Sequence, residues 1–141
     1  MLQPPVIRML AMDTDAESVA HQFVHAINAH DVAALCAMMT ESHRFIDSLG
    51  TVVTGRETMR AGWAAYFAMV PDYAISIDET YSDGSAVVMV GKAGGCYAPK
   101  GLQTAKSRWE TPAAFRVGVE LGKVVEWRVY ADNEPIRRLV G

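Results

Sequence analysis

The side chain that most suggests chemistry is the carboxylate of Asp47. Residues 44–48 alternate like a strand, which puts Asp47 on the same face as Phe45 and opposite Ile46. A carboxylate that faces an apolar cavity is suited to general-base work, because desolvation raises its pKa toward neutrality. The alternative is a strand-end Asp that hydrogen-bonds the turn near Gly50. The pattern leaves both interpretations open.

Motifs for other kinds of chemistry are missing from the sequence. It contains no phosphate loop, dinucleotide fingerprint, G-x-S-x-G elbow or paired-cysteine metal motif. His21 and His25 have the i, i+4 spacing of a metal half-site, but both fall opposite the apolar stripe of their predicted helix. A solvated helix face explains them better, so we expect neither a metal nor a cofactor.

The last predicted strand carries further polar side chains. Alternation puts Trp127 and Val129 on one face, and Arg128, Tyr130 and Asp132 on the other. We expect the first face to point inward. The second face is expected to form an exposed or dimer-facing ladder that points away from any pocket.

The elements that position these side chains are predicted to begin with three helices. Thr14 and Glu17 have capping-box spacing, which predicts a helix that runs to about His30. Asp31 then caps a second, shorter helix. A second capping box, Thr54-x-x-Glu57, predicts a third helix that ends before residue 71.

The chain after residue 71 has the pattern of a sheet. Asp83-Gly84 and Gly122-Lys123 are turn signals, and three glycines between them at 91, 94 and 95 predict a bend or bulge. The facing of Trp109 and Glu110 stays open. The predicted strands are 73–81, 86–89, 107–119 and 124–131. Helices followed by an antiparallel meander predict an α+β fold with the helices on one face of the sheet.

Composition limits the class of protein. The chain has 141 residues, 50% of them hydrophobic, and a net charge of −3. This length predicts one domain over residues 14–141, after a flexible lead-in at residues 1–13. Scattered basic residues argue against nucleic acid, and no apolar run is long enough for a membrane span. Cys36 and Cys96 are expected to be buried, reduced thiols, which favours the cytoplasm.

Three motifs, taken in order, resemble the SnoaL-like members of the nuclear-transport-factor-2-like superfamily. They are Asn-Ala-His-Asp at 28–31, Phe-Ile-Asp at 45–47 followed by Gly-Arg-Glu at 55–57, and Gly-Lys-Val at 122–124 leading into Trp-Arg-Val-Tyr-Ala-Asp at 127–132. The resemblance covers about 16–139. It implies a cone-shaped α+β barrel, with three N-terminal helices packed in a strongly curved antiparallel or mixed sheet that encloses a pocket. It also implies a homodimer through the sheet face.

The resemblance places Asp47 where ketosteroid isomerase and SnoaL-type cyclase relatives have a pocket-facing acid–base residue. Ketosteroid isomerase adds a Tyr and a protonated Asp as oxyanion donors. The matching positions here are Phe23 and Ala114, and neither side chain can donate. The same reaction by the same means is therefore not expected.

The limonene-epoxide-hydrolase branch is similar in its Trp-Arg-x-Tyr-x-Asp string. Its working carboxylate matches Val129 here, and its Arg-x-Asp pair falls near Val90 and Lys92, so epoxide hydrolysis is disfavoured. An inward Lys92 would keep Asp47 ionised and could donate to a substrate carbonyl. The alternative is a Lys92 at the pocket mouth or in solvent.

These observations favour a pocket for a small hydrophobic molecule and a cofactor-free isomerase or cyclase reaction with Asp47 as base. Tyr66 could supply a hydroxyl donor. The alternatives are a non-catalytic ligand-binding module and a dimeric interaction module of the same fold. The expected ligand-binding residues are Phe23, Ile27, Phe45, Trp63, Tyr66, Phe67, Val90, Lys92, Ala114, Trp127 and Val129.

Overall fold

The computed structural model describes residues 15–99 and 107–140, which form four helices and six strands. The predicted lead-in, residues 1–13, lies outside the described residues. No helix in the described ranges is long and apolar enough to cross a membrane. The elements in chain order are α1 (Ala16–Asn28), α2 (Val32–Met38), β1 (Met39–Ile46), β2 (Val52–Thr54), α3 (Arg56–Met69), β3 (Ala74–Asp83), β4 (Ala86–Cys96), β5 (Arg108–Glu120), β6 (Lys123–Ala131) and α4 (Glu134–Val140).

The six strands form one curved, unclosed mixed sheet in the order β2-β1-β6-β5-β4-β3. β1 and β6 run parallel, and the other neighbouring pairs are antiparallel. The α+β prediction is confirmed. β1 is longer than predicted, since it begins at Met39, and the short β2 was not predicted at all.

The helix starts differ from the predicted capping boxes. The N-cap of α1 is Asp15, whose carboxylate accepts the backbone N–H of Ser18 at 3.0 Å. Asp31 caps α2 as predicted, through Ala34 N at 3.0 Å. The box predicted at residue 54 is wrong, because Thr54 ends β2 and Gly55 precedes α3 without a side-chain cap.

The corner after α1 is fastened to β3 by side chains. The Asn28 amide donates to Ile75 O and accepts from Ile75 N, both at 2.8 Å, so it pairs with that backbone like a short strand. His30, in the left-handed region at φ 54°, donates from Nε2 to Tyr73 O at 2.8 Å. These bonds fix where β3 begins, and with it the position of Tyr73.

Of the bend or bulge predicted at the β4 glycines, the bulge is found in the β3–β4 ladder opposite Gly91, and the bend in β4 is absent. β4 continues without interruption to Cys96, and the register shift lies in β3, where Asp78 is the extra residue between Ile77 and Glu79. Gly91 serves a close approach instead: a Cβ there would meet Ser76 O at 1.8 Å. Only glycine allows β3 to approach β4 at this point.

Fully buried aromatic side chains form the centre of the core between α1 and the sheet. The ring of Trp127 on β6 lies 5.0 Å from Phe23 on α1 and 5.1 Å from Phe115 on β5. None of the three side chains is more than 1% exposed. This packing holds α1 against β5 and β6 and leaves the neighbouring space under α3 for the cavity described next.

Candidate functional site

A cavity of about 490 Å³ lies between α3, the inner face of the sheet and the start of α4. This volume is within the range of small-molecule sites. All three tryptophans of the chain line it. The lining is mostly apolar and aromatic: Phe45, Asp47, Ser48, Val53, Thr58, Met59, Gly62, Trp63, Tyr66, Tyr73, Ala93, Trp109, Thr111, Trp127, Val129, Ala131, Asp132, Asn133 and Ile136.

One wall of the cavity is a row of five aromatic rings. Phe45 meets Trp63 edge-on at 5.9 Å between ring centroids, and Trp63 meets Tyr66 at 6.4 Å. Tyr66 meets Tyr73 at 4.9 Å, and Tyr73 meets Trp109 at 6.1 Å. Edge-to-face and tilted contacts at these spacings are the favoured geometry for aromatic pairs. We call this set the aromatic row, and it presents a continuous apolar surface to a ligand.

The aromatic row also carries polar N–H and O–H groups. The indole Nε1 atoms of Trp63 and Trp109 are buried and have no hydrogen-bond partner among residues 15–99 and 107–140. Burial raises the pKa of Tyr66 and Tyr73 far above the usual value for a phenol, and the proximity of Tyr66 raises that of Tyr73 further. Both phenols therefore remain protonated at neutral pH. The aromatic row therefore carries no charge at neutral pH.

Asp47 follows the end of β1 and combines the two interpretations that the sequence left open. Its Oδ1 accepts the backbone N–H groups of Leu49 and Thr51, each at 2.9 Å, so it organises the β1–β2 turn. The half-buried side chain also lines the cavity. Both turn bonds go to Oδ1, which leaves Oδ2 out of them. One carboxylate can thus hold the turn and still present an oxygen to a ligand.

A second carboxylate, Asp132, also lines the cavity. The prediction that Asp132 points away is wrong, because β6 ends at Ala131 and strict alternation ends with it. Its Oδ1 accepts Glu134 N at 3.0 Å at the start of α4. Asp47 and Asp132 follow the carboxyl ends of two parallel neighbours, β1 and β6, and therefore lie toward the same edge of the sheet.

Three predicted ligand-binding residues belong to the core instead. Phe23 and Ile27 are fully buried, and Phe67 is 8% exposed. Phe23 is covered by Trp127, and Phe67 stacks on His30 with 4.1 Å between centroids and 5° between planes. These rings support the cavity wall from behind without lining it.

Three further predicted residues face the other side of the sheet. Inward positions on β4 and β5 include Ala93 and Thr111, which line the cavity, so Val90, Lys92 and Ala114 point outward by alternation. Lys92 is exposed and borders a shallow outer depression, which excludes its pairing with Asp47 inside the cavity. The prediction of these positions is wrong by one residue. Of the predicted set, Phe45, Asp47, Trp63, Tyr66, Trp127 and Val129 line the cavity.

Sequence reasoning missed Tyr73 and Trp109 as lining residues. The signal for Trp109 was present: it shares its parity along β5 with the buried Thr111 and Phe115, so period-two alternation turns it inward. Tyr73 precedes β3 and shares its parity with the buried Ile75, so alternation along the predicted strand 73–81 also turns it inward.

Metal ligation finds no support in the described ranges. They contain no group of three or more His, Cys, Asp or Glu side chains that could hold an ion. His21 Nε2 instead lies 2.9 Å from Thr80 Oγ1 on the protein surface.

Comparison with known proteins identifies the relatives of this architecture. Residues 20–127 match the SnoaL-like domain. No curated protein gives a significant match. A Shewanella putrefaciens protein, assigned provisionally to the SnoaL-like polyketide cyclases, superposes with a TM-score of 0.76 at 19% identity, over 99% of this chain and 96% of its own.

Two other solved structures show how varied the relatives of this fold are. A hypothetical Catenulispora acidiphila protein with a ketosteroid isomerase-like fold, in complex with trimethylamine, has a TM-score of 0.72 at 20% identity, over 84% of this chain and 88% of its own. AclR from Streptomyces galilaeus, assigned provisionally as a hydroxylase, has a TM-score of 0.71 at 16% identity, over 89% and 80%. At these identities the likeness shows the fold and not the reaction.

Proposed function

The chain belongs to the SnoaL-like domain family, and we propose that its cavity binds a small, flat, hydrophobic molecule and isomerises or cyclises it without a cofactor, with Asp47 as the general base. Proteins of this fold commonly bind small hydrophobic ligands. The observation that carries the proposal is the placement of Asp47, which lines an apolar cavity while its Oδ2 takes no part in the turn bonds.

The reaction begins with proton removal next to a carbonyl group. Asp47 Oδ2 takes the proton, the C–H bond breaks, and its electron pair moves to the carbonyl oxygen to form an enolate. A neutral donor such as the Tyr66 hydroxyl stabilises this oxygen, since burial keeps the pKa of Tyr66 high and its proton in place. Return of the proton to a different carbon completes an isomerisation. For a cyclisation, the enolate carbon attacks a second carbonyl of the same molecule to form a C–C bond, and Asp47 returns its proton to the resulting alkoxide.

Deuterium exchange tests the proton transfer without knowledge of the natural substrate. The probe is 2-tetralone, a flat bicyclic ketone whose C–H groups beside the carbonyl exchange in D₂O and are followed by NMR. The protein should accelerate this exchange, and Asp47→Asn should remove at least about 100-fold of the acceleration, the usual contribution of a general base. Asp83→Asn, in the exposed β3–β4 hairpin, is the matched control and should leave the rate unchanged. Equal acceleration by Asp47→Asn would exclude Asp47 as the base.

A non-catalytic binding module remains the alternative. It is favoured if 2-tetralone binds and neither the native protein nor any variant accelerates its deuterium exchange. A second candidate ligand is a small alkylammonium ion, because aromatic faces and the carboxylates of Asp47 and Asp132 line one cavity. Titration with trimethylamine, followed by tryptophan fluorescence at low and high salt, tests this candidate.

We also propose that two copies pair through the outer face of the sheet and act in the cytoplasm. Half-buried Val90 and Ala114 lie on that face beside the exposed Tyr130. The compartment is proposed because Cys36 and Cys96 are both buried, which suits a reducing environment. Sedimentation velocity should give a dimer that Ala114→Arg dissociates. If the native protein sediments as a monomer, the pairing is refuted, and so is the alternative of a dimeric interaction module.

A further inference from the structure

Three arginine side chains surround the carboxylate of Glu126 on the outer face of the sheet. Glu126 Oε1 lies 2.7 Å from Arg44 Nη2, and Oε2 lies 3.4 Å from Arg116 Nη1. Arg128 is the register partner of Arg116 in the β5–β6 ladder, so two guanidinium side chains leave the sheet at directly opposed positions. Like charges at such positions destabilise a sheet. One negative charge therefore stands against three positive charges.

Arg128 is the least compensated of the three. Among residues 15–99 and 107–140 it forms no ion pair, and its buried Nε has no hydrogen-bond partner. Its Cζ lies 4.9 Å from the ring centroid of Tyr130, so the guanidinium rests on an aromatic face. This contact holds the side chain in position without neutralising its charge. A guanidinium fixed in this way is suited to a carboxylate, which it can bind through two N–H groups.

The opposite edge of the outer face carries a carboxylate, on the edge strand β3. Thr80 faces α1, since its Oγ1 lies 2.9 Å from His21 Nε2, so alternation turns Glu79 outward. The exposed Glu79 carboxylate accepts the Tyr81 hydroxyl at 2.6 Å and forms no ion pair within the described ranges. Two strands, β4 and β5, separate it from Arg128 in the same copy.

Apolar side chains lie between this carboxylate and the arginines. In the register of the ladders, one row of the outer face consists of Glu79, Val90, Ala114 and Tyr130. The two middle members are half-buried, and Tyr130 carries Arg128 on its ring. The row thus has a negative end, an apolar middle and a positive end. A surface of this kind can pair with a second copy of itself.

Charge selects the orientation of such a pair. A two-fold axis parallel to the strands and between β4 and β5 sets β3 of each copy against β6 of the other. The negative end of each row then meets the positive end of the other, and the apolar middles meet at the axis. An axis across the strands would instead set each strand against its own counterpart, which brings arginines together and carboxylates together. The first orientation is therefore the favoured one.

We propose that two copies pair about the axis parallel to the strands, and that Glu79 of each copy binds Arg128 and Arg116 of the other. The two contacts are equivalent by symmetry. They supply the carboxylate that the opposed arginines lack within one copy. This inference rests on the proposed pairing of two copies, and it adds the orientation of the pair and the charges that determine it.

Charge reversal in two separate variants tests this assignment. Arg128→Glu brings two carboxylates together at each contact, and Glu79→Arg brings guanidinium groups together. Sedimentation velocity should therefore show each variant alone as a monomer, with the dissociation constant of the dimer raised at least about 100-fold. An equimolar mixture of the two variants should sediment as a dimer, because both contacts of the mixed pair join opposite charges.

The matched control reverses the charges of an exposed ion pair on α3, which lies on the cavity side of the sheet. Glu57→Arg and Arg60→Glu should each leave the dimer intact. A dimer in either outer-face variant alone, or a monomer in their mixture, would overturn the inference and leave the pairing of native copies to stand. A native monomer would refute the proposed pairing and the inference with it, whereas deuterium exchange reports on the proposed reaction in the cavity independently.

The native protein provides a second test that needs no variant. Salt weakens exposed ion pairs but does not weaken contacts between apolar side chains. The dissociation constant of the native dimer should rise roughly 2- to 30-fold between low salt and about 1 M sodium chloride, which corresponds to the loss of two exposed ion pairs. An unchanged or lower dissociation constant at high salt would overturn the inference.

Discussion

Replacing Asp47 by Ala or by Asn separates its structural role from its chemical role. Oδ1 accepts two backbone N–H groups at 2.9 Å, from Leu49 and Thr51. Ala removes both bonds. Asn keeps an Oδ1 acceptor for both but has no carboxylate. A buried hydrogen bond to a charged group contributes about 1.5–3 kcal/mol to stability. This turn is open to water, since Leu49 is 80% exposed, so each of its bonds contributes less. We therefore take about 1 kcal/mol for each bond.

Asp47→Ala should then lower the free energy of unfolding by about 2 kcal/mol, and Asp47→Asn by about 1 kcal/mol or less. For a domain of this size each kcal/mol shifts the midpoint by roughly 3–5 °C, so Tm should fall by about 6–10 °C for Ala and by less than about 5 °C for Asn. Thermal unfolding followed by circular dichroism measures both shifts. If Asn costs as much stability as Ala, the turn needs the negative charge, and the assignment of Oδ1 as a simple acceptor is refuted.

Three further predictions concern the scaffold. Burial lowers the pKa of the fully buried His43 below its ordinary 6.5. As the pH falls, the unfolded chain therefore binds the proton before the folded chain does, and the stability present above pH 6.5 is lost on the way to the folded-state pKa. His43→Asn should reduce this loss, measured as the change in urea midpoint between pH 7.5 and 5.5. Asn28→Ala removes both bonds to the Ile75 backbone and should cost about 1–3 kcal/mol in urea unfolding. Asn28→Asp puts a carboxylate oxygen where the amide NH2 donates to Ile75 O, so at neutral pH it should cost at least as much. Gly91→Ala puts a Cβ against Ser76 O and should abolish soluble folded protein, so a normal near-ultraviolet circular dichroism spectrum of this variant would contradict the β3–β4 packing.

The sheet was predictable where one face is buried and the other is not. β5 alternates between exposed and buried residues along almost its whole length, and its predicted bounds differ from the observed Arg108–Glu120 by one residue at each end. β1 gave no such signal, because Glu41 and Ser42 are both exposed in succession. Its parallel partner β6 is also far away in the sequence, and local periodicity carries no information about such a pairing.

The candidate site was predictable where facing followed from alternation, and wrong where positions were transferred by resemblance. Phe45 and Val129 were placed by strand parity and line the cavity. Lys92 and Ala114 were placed by similarity to other proteins, and a shift of one residue turns a strand side chain to the opposite face. Trp109 shows the converse, since parity with its buried neighbours would have turned it inward.

With Ala114 facing outward, the cavity still lacks the two oxyanion donors of ketosteroid isomerase. The inward position beside it on β5 is Ala113, which is buried and cannot donate either, and the α1 position is Phe23, covered by Trp127. In the proposed reaction the hydroxyl of Tyr66, in the aromatic row, takes the place of the Tyr and Asp of ketosteroid isomerase.

The aromatic row also relates the proposed donor to the proposed base. Asp47 is two residues from Phe45 along the chain. Phe45 contacts Trp63, which in turn contacts Tyr66. In the proposed reaction the Tyr66 hydroxyl acts on an oxygen that becomes negative only as the proton leaves for Asp47. Tyr66→Phe should therefore weaken stabilisation of the transition state and lower kcat, whereas loss of a purely binding contact would weaken binding in ground and transition states alike and raise KM.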